Sequence, residues 1–172
     1  DDFCSWYIEL SKLHLTGDDE VAKKSALNTL VYVLNTIVRL LHPIMPFVTE
    51  EIYQAIPHNE ESIVISKWPE VNPEYDNDTI NDQFAYLIDI IKGVREIRHT
   101  YVIKNSIEVD YTITTKQDDL EALLKEIAPY VSKLVNATCV GYNVPTSKNN
   151  ATEVIKGGNT LNIDLGQYID ME

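Results

Sequence analysis

Glycine, cysteine and basic side chains are all scarce in this chain of 172 residues. Each shortage excludes something. The six glycines include one adjacent pair, Gly157-Gly158, and it lacks the following helix and lysine that a phosphate-cradling loop requires. The two cysteines, Cys4 and Cys139, and the four histidines, His14, His42, His58 and His99, show neither a disulfide framework nor metal-ligand spacing, so reduced thiols and no structural metal are expected. No apolar run approaches the ~18 residues of a membrane helix, which makes a soluble, cytoplasmic protein without a membrane partner the expectation. Fourteen Lys and Arg face 27 Asp and Glu, giving a net charge of -13, and both halves of the chain are acidic. A nucleic-acid binder usually carries a basic footprint, so DNA is not an expected partner. Any RNA affinity must come from a local patch and be strongly salt-dependent.

What is present is periodicity. Phe3, Trp6, Tyr7, Leu10 and Leu13 repeat at helical spacing, and Leu27, Leu30, Val31, Leu34, Ile37, Val38 and Leu41 define the face of a second helix over about 20–42. Asp18, Asp19 and Glu20 suit a helix start with an aspartate cap. Pro43 should close the second helix and Pro46 open a third, to about residue 56, because proline disfavours helical geometry in the residue before it and fits the first turn. Ile63-Val64-Ile65 reads as strand-like, and Trp68-Pro69 as a loop that clamps onto the helices. Polar residues 70–78 form the best internal boundary.

A long helix then runs to about residue 100 through Ile80, Phe84, Leu87, Ile91 and Val94. Ile107, Val109, Tyr111 and Ile113 alternate with polar residues as in a half-buried strand. Residues 117–135 return to helix with a break at Pro129, residues 137–143 read as strand, and residues 154–165 form a hairpin turned by Gly157-Gly158. The fold class is therefore α+β: a mostly helical antiparallel bundle over 1–105, followed by a small module with a few strands over 106–172.

One cationic stretch stands out: Lys92, Arg95, Arg98, His99 and Lys104. Lys92, Arg95 and His99 fall at i, i+3 and i+7, on a face away from Leu87, Ile91 and Val94, while Arg98 borders the apolar face. Such a stripe suits RNA phosphates. Equally, these bases can pair with surplus carboxylates such as Glu50 or Asp89 and orient the helix. Trp6, Tyr7, Tyr53 and Trp68 have the flat faces that unpaired bases stack on, although helical spacing favours core packing for Trp6. His42, before Pro43, reads as a corner residue bonded to the local backbone.

The run from Leu40 to Gln54, Leu-Leu-His-Pro-Ile-Met-Pro-Phe-Val-Thr-Glu-Glu-Ile-Tyr-Gln, resembles the anticodon-binding helical domain of class I aminoacyl-tRNA synthetases for branched aliphatic amino acids, and within them the valyl-tRNA synthetase family. Phe3 to Leu10, Ile91 to Ser106 with Arg95-Glu96-Ile97-Arg98, and Leu161 to Asp170 agree with that family. Ser5 stands where it usually has Asp, and Tyr101 to Asn105 depart from its proline-containing loop. The resemblance implies an aminoacyl-tRNA ligase whose partners are tRNA(Val) and the remaining domains of the same synthetase. It also implies that earlier bundle helices precede this segment and a coiled coil follows it. ATP is implied as substrate of the full-length enzyme, with no cofactor held here. The family's nucleotide-binding elements, a His-Ile-Gly-His-like motif and a Lys-Met-Ser-Lys-Ser-like loop, do not occur, so no catalytic residue is assigned. The implied role is tRNA recognition, with a purely structural scaffold and the equivalent isoleucyl segment as the alternatives; His42-Pro43 and Pro46-Phe47 argue against the isoleucyl one.

Overall fold

A computed structural model describes residues 2–116, 120–145, 147 and 149–168, in two compact units, one up to Asp76 and one from Asn77 onward. The division falls in the polar stretch 70–78.

In the first unit, π-helical turns over Asp2–Tyr7 run into α1 (Ile8–Leu15). Asp19 caps α2 (Glu20–Leu41), its carboxylate accepting from the amides of Val21 and Ala22. α2 stops two residues before Pro43, and Pro46 is the first residue of α3 (Pro46–Ala55). The corner is tied by side chains. Thr49 Oγ1 donates to the Met45 carbonyl at 2.7 Å and lies 2.8 Å from His42 Nδ1, so His42 bonds the Thr49 hydroxyl and not the backbone.

Glu50 Oε2 accepts from Ser62 Oγ at 2.9 Å and from the Ile63 amide at 3.1 Å, fixing the loop after α3 onto that helix. Here the structure departs from the sequence reading: Ile63-Val64-Ile65 is a single 3₁₀ turn, not a strand. Ser62 caps the turn, and all the described strands lie in the second unit, so nothing offers this segment a ladder. Ile63 instead packs with Val38 and Tyr53, flanked by Leu34 and Ile52. Trp68 is more exposed than a clamp requires, at 60%, and the loop is tied to α2 instead by Arg39 Nη1 donating to the Lys67 carbonyl at 3.0 Å. Along α2, Val38 and Ala26 are buried and Leu30, Val31, Leu34 and Ile37 half-buried, whereas Leu27 and Leu41 are exposed.

The second unit begins with α4 (Asp78–Thr100), capped by Asn77 accepting from the Thr79 and Ile80 amides. Next come β1 (Val109–Thr114), α5 (Leu120–Val135), β2 (Ala137–Tyr142), β3 (Asn150–Ile155) and β4 (Asn159–Asp164). The sheet order is β2-β1-β4-β3; β1 runs parallel to β2 through the α5 crossover and antiparallel to β4, which pairs with β3 across a turn where Gly157 and Gly158 take φ of 74° and 73°. The helices pack on each other and on the sheet. Between them they bury Ile90, Ile91, Val94 and Ile97 from α4, Leu124 and Val131 from α5, and Tyr111, Ile113, Leu161 and Ile163 from the strands.

α5 passes through Pro129 without the expected break. Leu124, Ile127, Val131 and Val135, buried on both sides of the proline, hold the two halves in line against a cost of roughly 3 kcal/mol for an interior proline. Its expected start at 117 lies outside the described residues. α4, which the sequence pattern joins to the helices before it, packs with the sheet because its wide apolar face, Tyr86 to Ile97, is filled by β3, β4 and α5. The chain is thus α+β, helices with a mixed four-stranded sheet.

Candidate nucleic-acid interface

On α4 the pattern of burial separates the five basic residues of the stripe and its loop. Lys92, Arg95 and His99 are exposed, opposite the apolar face, as their spacing requires. Lys104 is exposed in the loop between α4 and β1.

Arg98 is different. It is 4% exposed, with Nη1 donating to the Lys104 carbonyl at 2.8 Å and Nη2 reaching the carbonyls of Ile107, Val135 and Asn136 at 2.7, 3.0 and 2.9 Å. Nε has no hydrogen-bond partner among the described residues. The acceptors come from the loop after α4 and the C-terminal end of α5, where helix carbonyls are unpaired and the macrodipole favours a cation. Burial lowers the guanidinium from its ordinary pKa. As a phosphate contact Arg98 is therefore corrected: its donors are turned inward, and it positions the loop and the two helix ends.

That loop leaves α4 through a tight reversal. The Val102 amide donates to the His99 carbonyl at 3.4 Å and the Ile103 amide to the Arg98 carbonyl at 2.9 Å, with Val102 at φ 56°. This is a Schellman closure with valine where glycine is usual. Ile103 is buried behind it.

The closure leaves a hollow of about 640 Å³ lined by Arg95, His99, Asn105, Lys133 and Asn136, together with Arg98. Beside it a second hollow of about 610 Å³ takes Lys92, Arg95 and His99 together with Asp89, Glu96 and Glu153. The first is cationic and the second mixed. Lys133, on the last turn of α5, is the residue that sequence reasoning missed. No local signal marks it, since it is one lysine on an amphipathic helix, and only the crossover topology brings it beside Arg95 and His99.

The described ion pairs are Lys12–Glu9, Lys23–Glu20, Lys125–Glu121 and Lys156–Asp82, and none involves Lys92, Lys104 or Lys133. Of the two carboxylates weighed as neutralising partners, Glu50 is bonded to Gln54, Ser62 and Ile63, while Asp89, one oxygen of which accepts from the Lys156 amide at 3.1 Å, shares the second hollow with Lys92 and Arg95. The arrangement can bind anions. Cys139, in the same unit, is a poor nucleophile because burial pushes its thiol up. No group of three His, Cys, Asp or Glu among the described residues is placed to hold a metal ion, and no helix among them is long and apolar enough to cross a membrane.

Comparison with known proteins gives this surface a context. The chain is 40% identical over 163 residues to a valine–tRNA ligase of Geobacillus stearothermophilus, an alignment covering 94% of this chain and 18% of that protein. It is 42% identical over 173 residues to the valine–tRNA ligase of Lactiplantibacillus plantarum, covering 99% of this chain and 19% of that protein. With the ligase of Anoxybacillus flavithermus the identity is 40%, over 100% of this chain and 20% of that protein. The chain thus spans about a fifth of the length of the curated relatives it matches. The sequence model of one family, described as the anticodon-binding domain of tRNA ligase, matches residues 1–113, from the π-helical start through α4 and nearly all of β1. Because that match takes in the proline corner and the basic face of α4 together, the chain belongs to the anticodon-binding domain family of tRNA ligases.

Proposed function

We propose that this chain is the tRNA-recognition part of a valine–tRNA ligase, holding tRNA(Val) while domains elsewhere in the longer protein join valine to it with ATP in the cytoplasm. In this reading residues 1–105 carry the anticodon-binding role, although α4 packs with the later strands, and residues 106–172 lead on to the rest of the synthetase. The observation that carries the reading is a basic surface on an acidic protein: Arg95, His99 and Lys133 around one hollow, Lys92 one turn away and Lys104 in the adjoining loop. A remote grip of this kind assists acyl transfer only by positioning the acceptor end, so the rigidity that Arg98 gives the surface is part of the mechanism.

Fluorescence anisotropy with labelled tRNA(Val) and tRNA(Ile) across a salt series tests it. The expected result is salt-sensitive binding that prefers tRNA(Val), with Lys92→Glu, Arg95→Glu and Lys133→Glu each weakening it and reducing the salt slope by roughly one per lost phosphate contact. Binding unchanged by all three variants would overturn the assignment of this surface. The net charge of -13 favours a second reading, a scaffold that does not touch RNA, and absence of binding even at low salt would establish it.

A further inference from the structure

Trp68 is the residue whose placement the packing leaves unexplained. A large aromatic is normally covered, yet this indole is 60% exposed. It stands at a recess of about 270 Å³ lined by Tyr32, Thr36, Arg39, Lys67 and Pro69 within the first unit. That is just below the ~300 Å³ at which small-molecule pockets begin, the scale of one flat ring more than of an extended ligand.

The surroundings are pre-arranged. Pro69 restricts the Trp68 backbone to extended geometry, so little freedom remains to be lost on binding. Arg39 is held by Nε to the Asn35 carbonyl at 3.3 Å and Nη1 to the Lys67 carbonyl at 3.0 Å, leaving Nη2 outside every described hydrogen bond. Lys67 is exposed and belongs to none of the described ion pairs. Tyr32 meets the Tyr75 ring edge-on, centroids 5.8 Å apart at 83°, which fixes it as a wall. Glu70 is the one carboxylate lining the recess, so its local balance is positive on a strongly acidic chain. An exposed aromatic face beside two cations is the combination that holds unpaired nucleotides, base on ring and phosphate on charge. An apolar protein segment would fit better on the exposed aliphatic residues at the proline corner, Ile44 and Val48, than here.

We propose that the Trp68 recess binds one unpaired RNA nucleotide, its base stacked on the indole and its phosphate held by Arg39 Nη2 and Lys67. The inference rests on the reading that this chain binds RNA, and it adds a site separate from the basic face of α4. Trp6 and Trp68 are the only tryptophans, so Trp6→Phe leaves Trp68 as the sole indole reporter. The full chain carrying that change is titrated with a single-stranded heptaribonucleotide and with the same sequence as a duplex. Saturable quenching by the single strand and little by the duplex is expected. In labelled-RNA anisotropy with otherwise unaltered protein, Trp68→Leu should weaken single-strand binding about tenfold or more, whereas Trp68→Phe should retain most of it. Lys67→Ala should reduce the salt slope by roughly 0.7. Equal quenching by both RNAs, or unchanged affinity in Trp68→Leu, overturns the proposal. If tRNA binding still responds to Lys133→Glu while Trp68 is silent, only this inference fails; if no RNA binds, both readings fail.

Discussion

The two compact units are built from similar helices but differ in how much they cover. In the first, the fully buried hydrophobic residues are Leu10, Ala26, Val38, Tyr53 and Ile63, while Ile44 and Phe47 at the proline corner stand 78% and 89% exposed. In the second, α4, α5 and all four strands contribute buried apolar side chains, including Ile90, Ile91, Val94, Val109, Ile113, Val131, Leu161 and Ile163 at 0% exposure. The difference follows from the partner available to each amphipathic face. A sheet accepts the wide apolar stripe of α4 and α5 along its whole length, whereas α2 has only short neighbours and leaves Leu27 and Leu41 in water. The first unit therefore relies on local ties, namely the Asp19 cap, the His42–Thr49 pair and the Glu50 staple, and the second on its core. Both tryptophans lie in the first unit, so their fluorescence reports on it alone, while far-UV circular dichroism reports on both.

The largest expected effect is at Arg98. Arg98→Met leaves the carbonyls of Lys104, Ile107, Val135 and Asn136 without their shared donor, and each buried carbonyl left unsatisfied costs about 1–3 kcal/mol. Urea denaturation should show the dichroism transition shifted to much lower urea while the tryptophan transition stays in place. Both moving together would mean that the units unfold as one, and the contrast between them would lose its thermodynamic meaning.

A matched pair of deletions sharpens the contrast directly. Ile91→Ala, at a site with no exposure, should cost roughly 3–4 kcal/mol from lost transfer energy and the cavity left in a dense core. Ile37→Ala, on the half-buried face of α2, should cost about 1 kcal/mol, because water already reaches the site. Equal losses would show that α2 is better covered in solution than its packing indicates.

Val102 offers a gain. Its left-handed conformation costs a valine about 1–2 kcal/mol, against roughly 0.5–1 kcal/mol of extra chain entropy that glycine loses on folding. Val102→Gly should therefore stabilise the second unit by about 0.5–1 kcal/mol, read as a higher dichroism midpoint. A lower midpoint would mean that the valine side chain contributes a contact which its exposure conceals.

Most of this architecture was legible from periodicity and punctuation. Pro43 and Pro46 mark the corner, Asp19 marks a cap, residues 70–78 mark the division, and the alternation from Ile107 to Ile113 marks the first strand. What failed depended on partners distant in sequence. Ile63-Val64-Ile65 has strand composition but no neighbouring strand, Pro129 is overruled by packing on both sides of it, and α4 finds its apolar partner in strands that come later in the chain. The site divides in the same way: the helical spacing of Lys92, Arg95 and His99 located the exposed face. Arg98 borders that face in sequence, and only the converging ends of α4 and α5 decide that it points inward. Lys133 carries no signal at all until the crossover is known.

The smallest expected effect concerns the staple of the thinner unit. Hydrogen bonds from Gln54, Ser62 and the Ile63 amide hold the Glu50 carboxyl below its ordinary value of 4.5, outweighing the opposing effect of desolvation. Because the folded value is depressed, the ionised form favours folding. Its contribution is complete above about pH 4.5, the unfolded value, and is lost as pH falls through the folded one. The tryptophan-detected urea midpoint should accordingly decline as pH drops below that value, and Glu50→Gln, which does not titrate, should flatten this part of the profile while lowering the plateau at neutral pH. A variant profile with the same slope as the parent would place the acid sensitivity of the first unit on another carboxylate, and the staple would then be a geometric tie without a titrating role.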